Sequence, residues 1–376
     1  MRRIRLVPIA ALAVAGSFAL AACGSSGGGA TSSTSAAAKN SSNAAAGAIT
    51  CSTGTLNAAG STAQANAMDA WRKSYQQQCT TATINYNPTG SGAGITSFNA
   101  GQIDFAGSDA ALNAAKGEVA AAQKRCGSTP LNLPMVVGPI AIAYNLKGVD
   151  KLILDGATTA EIFLGKITTW NDPKIAKLNP DTSLPSSKIT PFFRSDSSGT
   201  TQNFETYLQA TAPSVFTSTP DKDSTRAGFA GQGKAKSQGV ADAISQTAGG
   251  IGYVEYSYAV SSGLNTAELD NGGGPVALSK DTASAAANTA KVVGTGADLS
   301  LKIDYTEQAA DSYPLILVTY EIVCSKYSSA ATGTFVKNFL TYTSSAAGQS
   351  GLAQLGYAPL PSQLQTKVAA SVASIG

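Results

Sequence analysis

The stretch ITPFFRSDSSGTT, residues 189–201, joins an apolar run typical of a β-strand to a segment with apolar residues at helical spacing, namely Phe204, Tyr207 and Leu208. A turn of this kind exposes the free N–H groups at the start of the helix, adds Ser and Thr hydroxyls, and brings the Arg194 guanidinium alongside. It therefore predicts a site for an anion. Ser, Thr and Gly before a helix are also ordinary capping residues, so this turn alone leaves both interpretations open.

Three similar turns occur earlier in the chain, each after a predicted strand. They are GST at 60–62, GSG at 90–92 and GSD at 107–109. Strands that alternate with helices indicate an α/β fold, and open α/β sheets bind ligands beyond the carboxyl ends of their strands. We read 90–94 as a turn, and the long apolar runs 133–144 and 313–323 as strands that cross between two lobes. The four turns together predict a cleft between lobes.

The N-terminus predicts export. Three arginines precede an uncharged apolar run, so residues 1–22 are expected to be a signal peptide, with no membrane-spanning segment in the mature chain. Cys23 follows Leu-Ala-Ala, as in a bacterial lipobox, although an unmodified cysteine near a cleavage site is the alternative. Residues 23–50, the lipidated Cys and a Gly/Ser/Ala-rich segment, predict a flexible tether. We expect a lipid-anchored protein on the extracytoplasmic face of the cell membrane.

The charge balance argues against partners that bind through a large net charge on the protein. The chain has 26 Lys+Arg and 23 Asp+Glu, and removal of the three arginines in residues 1–22 leaves 23 of each. A neutral mature chain is not expected to bind nucleic acid, so any affinity for anions must be local. The roughly 325 residues behind the tether exceed one ordinary core and predict two lobes.

Four cysteines remain beyond the lipid site, and in an exported protein an even number favours disulfides. Cys51 precedes the first predicted strand and Cys79 follows the first predicted helix, so we favour that pair, which leaves Cys126 with Cys324. Three pairings are possible from the sequence.

The chain contains no histidine, so Ser-His-Asp, Cys-His and histidine–metal sites are impossible. We expect no cofactor and no metal. The composition weighs against a hydrolase without excluding Asp- or Ser-based chemistry.

The four turns, together with WNDP at 170–173, GGIGYVEY at 249–256 and Tyr313-Pro314, resemble the periplasmic phosphate-binding protein of Pst ABC importers, in its actinobacterial lipoprotein form. The resemblance extends from about residue 53 to the C-terminus. It implies a monomeric, non-enzymatic α/β protein with the two-lobed periplasmic-binding-protein fold (type II), a hinge and a ligand cleft. Lobe 1 is expected to comprise residues 51–138 and 317–376, and lobe 2 residues 139–316. The implied partners are inorganic phosphate, bound with high affinity, the ABC permease subunits and their cytoplasmic ATPase.

The resemblance also implies which residues bind phosphate: Thr62, the Ala63 amide, Ser91, Asp109, Arg194, Ser198, Gly199 and Thr200. Asp196 corresponds to a residue that pairs with the arginine, although a simple helix-capping role is the alternative. A carboxylate such as Asp109 repels an anion unless the anion brings a proton, and near neutral pH phosphate carries one or two protons whereas sulfate carries none. Asp109 is therefore the expected selectivity residue. The 228–239 region departs from the family pattern at Lys234-Ala235-Lys236, so the resemblance implies no ligand contact from this region.

Three alternative functions remain open at this stage. The first is a receptor for another oxyanion such as sulfate or molybdate, the second a secreted phosphatase-like enzyme, and the third a surface adhesin or sensor. The absence of histidine weighs against the second.

Overall fold

The computed structural model describes residues 49–376. The predicted signal peptide, the predicted lipid site Cys23 and nearly all of the predicted tether lie outside the described residues.

The described part of the chain alternates between β-strands and α-helices. The strands are β1 Gly54–Gly60, β2 Ala82–Pro88, β3 Phe105–Ser108, β4 Pro130–Asn145, β5 Ile153–Asp155, β6 Thr190–Arg194, β7 Gln232–Lys234, β8 Gly250–Glu255, β9 Asn265–Thr266, β10 Glu268–Asp270, β11 Pro275–Val276, β12 Lys291–Val292, β13 Leu301–Lys302 and β14 Ile316–Cys324. The α-helices are α1 Ala65–Gln78, α2 Ser91–Asn99, α3 Glu118–Cys126, α4 Gly156–Phe163, α5 Pro173–Leu178, α6 Gly199–Thr211, α7 Lys236–Gln246, α8 Tyr256–Ser261, α9 Lys280–Thr289, α10 Ala330–Ser344, α11 Ala346–Ser350 and α12 Ser362–Ala373.

The main sheet has the strand order β2-β1-β3-β14-β4-β8-β6-β7, with β9 also paired to β4. Strand β4 is long enough to serve two halves of this sheet. Its first part pairs antiparallel with β14 and its last six residues pair antiparallel with β8. On either side of this shared strand the outer strands run parallel, β2-β1-β3 in one half and β8-β6-β7 in the other. The alternation predicted from the sequence is therefore confirmed as an α/β fold.

The first core packs around β1, β3, β14 and the first part of β4. The apolar face of α1, formed by Met68, Trp71 and Tyr75, is buried against it together with residues of α10 and α12. Burial of each such side chain contributes about 1.5–3 kcal/mol to the free energy of folding. Both favoured disulfides are present in this half of the molecule: Cys51 with Cys79 and Cys126 with Cys324. The second of these pairs spans 198 residues of sequence, so the chain leaves the first core and returns to it.

The second core packs around β6, β8 and the last part of β4, with helices α4, α6 and α7 against the sheet. Phe204 of α6 stacks on Tyr253 of β8, with ring centroids 4.3 Å apart. This contact anchors the helix that follows the 189–201 stretch. Helix α9, although it lies between the β8 and β14 segments in sequence, buries alanines in the first core.

Most element predictions are confirmed. The apolar run 133–144 lies in β4, and 316–323 of the second run lies in β14. The turn predicted at 90–94 was wrong, because α2 begins at Ser91, directly after Gly90 in a positive-φ conformation (φ 98°) that favours glycine. Among residues 49–376, no helix combines the length and apolar character needed to cross a bilayer.

Candidate functional site

The carboxyl ends of four strands, β1, β2 and β3 from one half of the sheet and β6 from the other, converge where the two cores meet. Ser61 and Thr62 follow β1, Ser91 follows β2, Asp109 follows β3, and Arg194 ends β6. Every one of these side chains is buried. The mutually parallel strands β1, β2 and β3 bring their carboxyl ends to one edge of their half of the sheet. Strand β6 runs in the opposite direction, and its carboxyl end meets them from the second core.

Asp109 lies at the centre of this arrangement and is only 3% exposed. Four hydroxyl groups donate to its carboxylate: Ser61 and Thr319 (2.8 Å) to Oδ1, and Ser91 (3.3 Å) and Thr200 (3.2 Å) to Oδ2. Burial raises the pKa of Asp109, while the hydroxyl donors and the Arg194 charge oppose that rise. The carboxylate is thus held by neutral groups from both cores.

Arg194 is 2% exposed, and its guanidinium is directed by its hydrogen bonds. Nε donates to Asp196 Oδ1 (2.7 Å), Nη2 pairs with Asp196 Oδ2, and Nη1 donates to Ser237 Oγ (3.3 Å). Burial of Asp196 acts to raise its pKa, but the hydrogen bonds and charge of Arg194 outweigh burial, and the pKa of Asp196 lies below its ordinary value. Asp196 therefore partly neutralises a guanidinium that would be costly to bury alone.

The start of α6 shows which residue caps the helix. Ser198 is the N-cap, and its Oγ accepts from Thr201 N at 3.3 Å. The capping alternative considered for Asp196 is thus filled by Ser198. At Gly199 a Cβ would lie 2.7 Å from the Asp109 Cβ and 2.8 Å from the Ser91 Oγ, so only glycine allows this close approach.

The turn after β1 reaches across to the second core. Thr62 Oγ1 and Ser237 Oγ are 2.7 Å apart, and Tyr258 OH donates to the Thr62 carbonyl at 2.7 Å. The Ala63 amide donates to Ser61 Oγ at 3.0 Å. Thr62 and Arg194 therefore share one partner, Ser237.

All nine residues predicted for the site, Asp196 included, lie in or beside this buried group of polar side chains. Their role in ligand binding stays a prediction. Sequence reasoning missed three members: Ser61, Ser237 and Thr319. Ser61 lies in the predicted turn at 60–62, and Thr319 is a hydroxyl residue inside an apolar strand, so the sequence contains a signal for both. Ser237 lies in the 228–239 region, where the departure from the family pattern concealed it.

Lys236 shows how the 228–239 region is held against the site. Among the described residues it is the non-glycine with a positive φ, 64°, a backbone conformation that costs free energy for a side chain other than glycine. Its N–H donates to Asp196 Oδ1 at 2.9 Å, and the next residue is Ser237. The strained backbone thus brings one donor, the Lys236 N–H, to Asp196 and one acceptor, Ser237 Oγ, to Arg194.

Two ion pairs join the cores beside the site. Lys222, only 5% exposed, lies 2.9 Å from a carboxylate oxygen of Glu118, and Lys116 lies 2.6 Å from Asp221. Asn203 also donates to the Asp109 carbonyl at 2.7 Å. The structure therefore shows the two cores in direct polar contact around Asp109.

Comparisons with known proteins agree with this geometry. Residues 26–347 match the model of the PBP superfamily domain. The chain is 43% identical over 325 residues to phosphate-binding protein PstS 3 of Mycobacterium tuberculosis, which covers 85% of this chain and 86% of the relative. It is 42% identical over 324 residues to PstS 2 of the same species, covering 85% and 87%.

The fold comparison points the same way. A solved phosphate-binding protein from Stenotrophomonas maltophilia superposes with a TM-score of 0.67 over 84% of this chain and 93% of that one, at 18% identity. Fold and site together define a two-lobed periplasmic binding protein. The chain belongs to the PstS family of phosphate-binding proteins, which confirms the resemblance inferred from its turns.

Proposed function

We propose that this protein binds inorganic phosphate with high affinity between Asp109 and Arg194 and delivers it to an ABC importer. One observation carries the proposal: a buried carboxylate and a buried guanidinium from opposite cores lie in one group of Ser and Thr hydroxyls, in which Thr200 donates to Asp109 and Ser237 links Arg194 to Thr62. The guanidinium and hydroxyls suit an oxyanion, and the carboxylate suits an anion that carries a proton. The names of the relatives support phosphate as that anion.

Calorimetric titration of the purified protein at pH ~7 tests this function. We expect tight binding of phosphate, which is a mixture of singly and doubly protonated forms near this pH, and binding of sulfate weaker by about 10⁴-fold or more, because sulfate has no proton for the buried Asp109 carboxylate. Equal affinities would refute the assignment. Steady hydrolysis of a chromogenic phosphate ester by the same preparation would instead support the phosphatase alternative.

The two cores are proposed to be the lobes, with lobe 1 at 51–138 and 317–376, lobe 2 within 139–316, and the hinge in β4 and β14. Helix α9, inside the second range, packs in the first core and is therefore assigned to lobe 1. Contacts that join the cores in the closed form would then contribute to phosphate affinity.

Lys222→Ala is expected to weaken phosphate binding about tenfold or more, because Glu118 would lose its partner across the interface. Lys151→Ala is the control, since Lys151 is 63% exposed and pairs with Glu268 outside this interface. Unchanged affinity in a folded Lys222→Ala protein would contradict this role.

We further propose that the protein is a monomer anchored to the outer face of the membrane by lipid on Cys23, and that it meets the permease subunits and their ATPase there. The lipobox-like Leu-Ala-Ala-Cys sequence supports the anchor, and the Pst resemblance supports the partners. Incorporation of labelled palmitate into the wild-type chain but not into Cys23→Ala would test the anchor.

A further inference from the structure

Glu321 lies in the middle of β14 directly behind the site, fully buried, and its two carboxylate oxygens have no hydrogen-bond partner. The side-chain amide of Gln64 lies against it, and Gln64 Oε1 also has no partner. Three buried acceptor oxygens thus occupy one region. An unsatisfied buried acceptor is costly, and an ionised carboxylate without a donor is more so.

The sheet explains how these groups come together. Glu321 pairs in register with Gly107 of β3. A Cβ at Gly107 would overlap the Gln64 amide nitrogen and lie 2.5 Å from the Tyr86 hydroxyl oxygen. The missing side chain at Gly107 therefore admits Gln64 and Tyr86 to the face of the sheet that Glu321 occupies.

A chain of hydrogen bonds leads from Gln64 to the 61–63 turn that follows β1. Gln64 Nε2 donates to Tyr86 OH (3.0 Å), and Tyr86 OH donates to the Ser61 carbonyl (2.7 Å). Ser61 in turn donates its hydroxyl to Asp109 and accepts from the Ala63 amide. The orientation of the Gln64 amide consequently fixes the hydrogen bonding of the turn that carries Thr62.

We propose that Glu321 is a positioning residue that works in its protonated form: its O–H donates to Gln64 Oε1 and so holds the 61–63 turn in the geometry that binds phosphate. This inference rests on the proposed phosphate-binding function. A proton on Glu321 supplies the donor that the group of acceptors requires, and it satisfies Gln64 Oε1 while leaving Gln64 Nε2 on Tyr86. Burial, the largest cause, raises the pKa of Glu321 to about 8; the neighbouring Gln64 amide opposes that rise and the Asp109 charge adds to it.

Ionisation of Glu321 would reverse this arrangement. A carboxylate would attract the Gln64 N–H groups, the amide would turn, and Tyr86 would be drawn from the Ser61 carbonyl toward Gln64 Oε1. The titratable groups that face Glu321 within residues 49–376 are Asp109, after β3, and Tyr86, from β2, while its register partners Gly107 and Leu133 carry no charge. A bound anion beside Asp109 would raise the pKa of Glu321 further, so the bound form holds this proton more tightly.

Phosphate affinity should therefore fall as the pH rises through the Glu321 pKa of the unbound protein. We expect the wild-type affinity to decline above pH ~8, by up to about tenfold per pH unit for one linked proton, until the pKa of the bound form is reached. Glu321→Gln carries a permanent neutral donor and should bind phosphate within about threefold of wild type at pH ~7, with no decline of this origin above pH ~8. Glu321→Met offers no donor and should bind about tenfold more weakly throughout.

Calorimetric titrations of wild type, both variants and the control Glu307→Gln, at a half-buried position in a loop, over about two pH units on either side of 8 provide the measurement. Subtracting the Glu321→Gln profile removes the ionisation of phosphate itself, which is the same for every protein. Identical alkaline profiles for wild type and Glu321→Gln would overturn the inference. A wild-type affinity that depends on an added monovalent cation would also overturn it, because a cation rather than a proton would then satisfy these oxygens.

Infrared spectroscopy separates this inference from the function on which it rests. The wild-type spectrum at pH ~7 should contain the C=O stretching band of a protonated carboxyl that is missing from Glu321→Gln and disappears near pH ~8. Absence of that difference would overturn the proton on Glu321 even if phosphate binds. If phosphate does not bind to wild type at all, the proposed function fails, and the infrared difference still decides the protonation state.

Discussion

Arg194→Ala is expected to weaken phosphate binding by roughly 150- to 4,000-fold. Truncating one member of a buried, hydrogen-bonded charge pair costs about 3–5 kcal/mol, and each 1.4 kcal/mol is tenfold in affinity. Here the loss removes the guanidinium that is proposed to bind the anion and leaves Asp196 without its charged partner. Isothermal titration calorimetry at constant ionic strength measures the effect.

Two further variants sharpen this result. Arg226→Ala removes the same residue type where it is 73% exposed and 3.9 Å from its acidic neighbour, so the affinity should change little. Arg194→Lys keeps the charge but loses the planar guanidinium that contacts Asp196 and Ser237 together. Its phosphate affinity should therefore lie between those of wild type and Arg194→Ala. A folded Arg194→Ala protein with wild-type affinity would exclude this location for the site.

Asp109→Asn is expected to reduce discrimination between phosphate and sulfate by about 1,000-fold or more. The carboxylate accepts from four hydroxyls and offers the ligand nothing but acceptor oxygens. An amide carries two N–H donors, so sulfate would no longer face a buried negative charge and phosphate would lose its acceptor. Phosphate should bind about tenfold more weakly and sulfate more tightly. Competition of each anion against radiolabelled phosphate measures the ratio.

Asp242→Asn, at an exposed position of α7, provides the matched control for this exchange. It should leave both affinities unchanged. If Asp109→Asn keeps the wild-type preference for phosphate, the choice between the anions must arise elsewhere, and the proposed role of Asp109 would be lost.

The sequence predicted the fold well because its strongest signals are local. Apolar runs for β4 and β14, helical spacing in α1, and Gly-, Ser- and Thr-rich turns after strands each arise from a few neighbouring residues. Open α/β sheets bind ligands beyond the carboxyl ends of their strands, and Ser91, Asp109 and Arg194 each lie at such an end, so the sequence alone predicts that they belong to one site. The Cys51–Cys79 pairing followed from the same local reasoning.

What the sequence could not provide are contacts that depend on how distant elements pack. Ser237 reaches Thr62 and Arg194 only because Lys236 adopts a positive φ, and nothing in a Lys-Ala-Lys-Ser sequence predicts that conformation. Glu321 stands in an otherwise apolar strand, where its neighbours Gln64 and Tyr86 are known only once the register opposite Gly107 is known. The Lys222–Glu118 ion pair likewise requires the two cores to be docked.

The disulfide between Cys126 and Cys324 has a consequence for a chain that emerges from a translocation pore N-terminus first. In such a chain Cys51, Cys79 and Cys126 would emerge before Cys324, and Cys126 would have no native partner until the 198 residues that separate it from Cys324 had followed. The segment between them contains nearly all of the second core and can mature during that interval. Closure of the short Cys51–Cys79 loop before Cys324 emerges would remove the two competing thiols and so favour the pairing of Cys126 with Cys324.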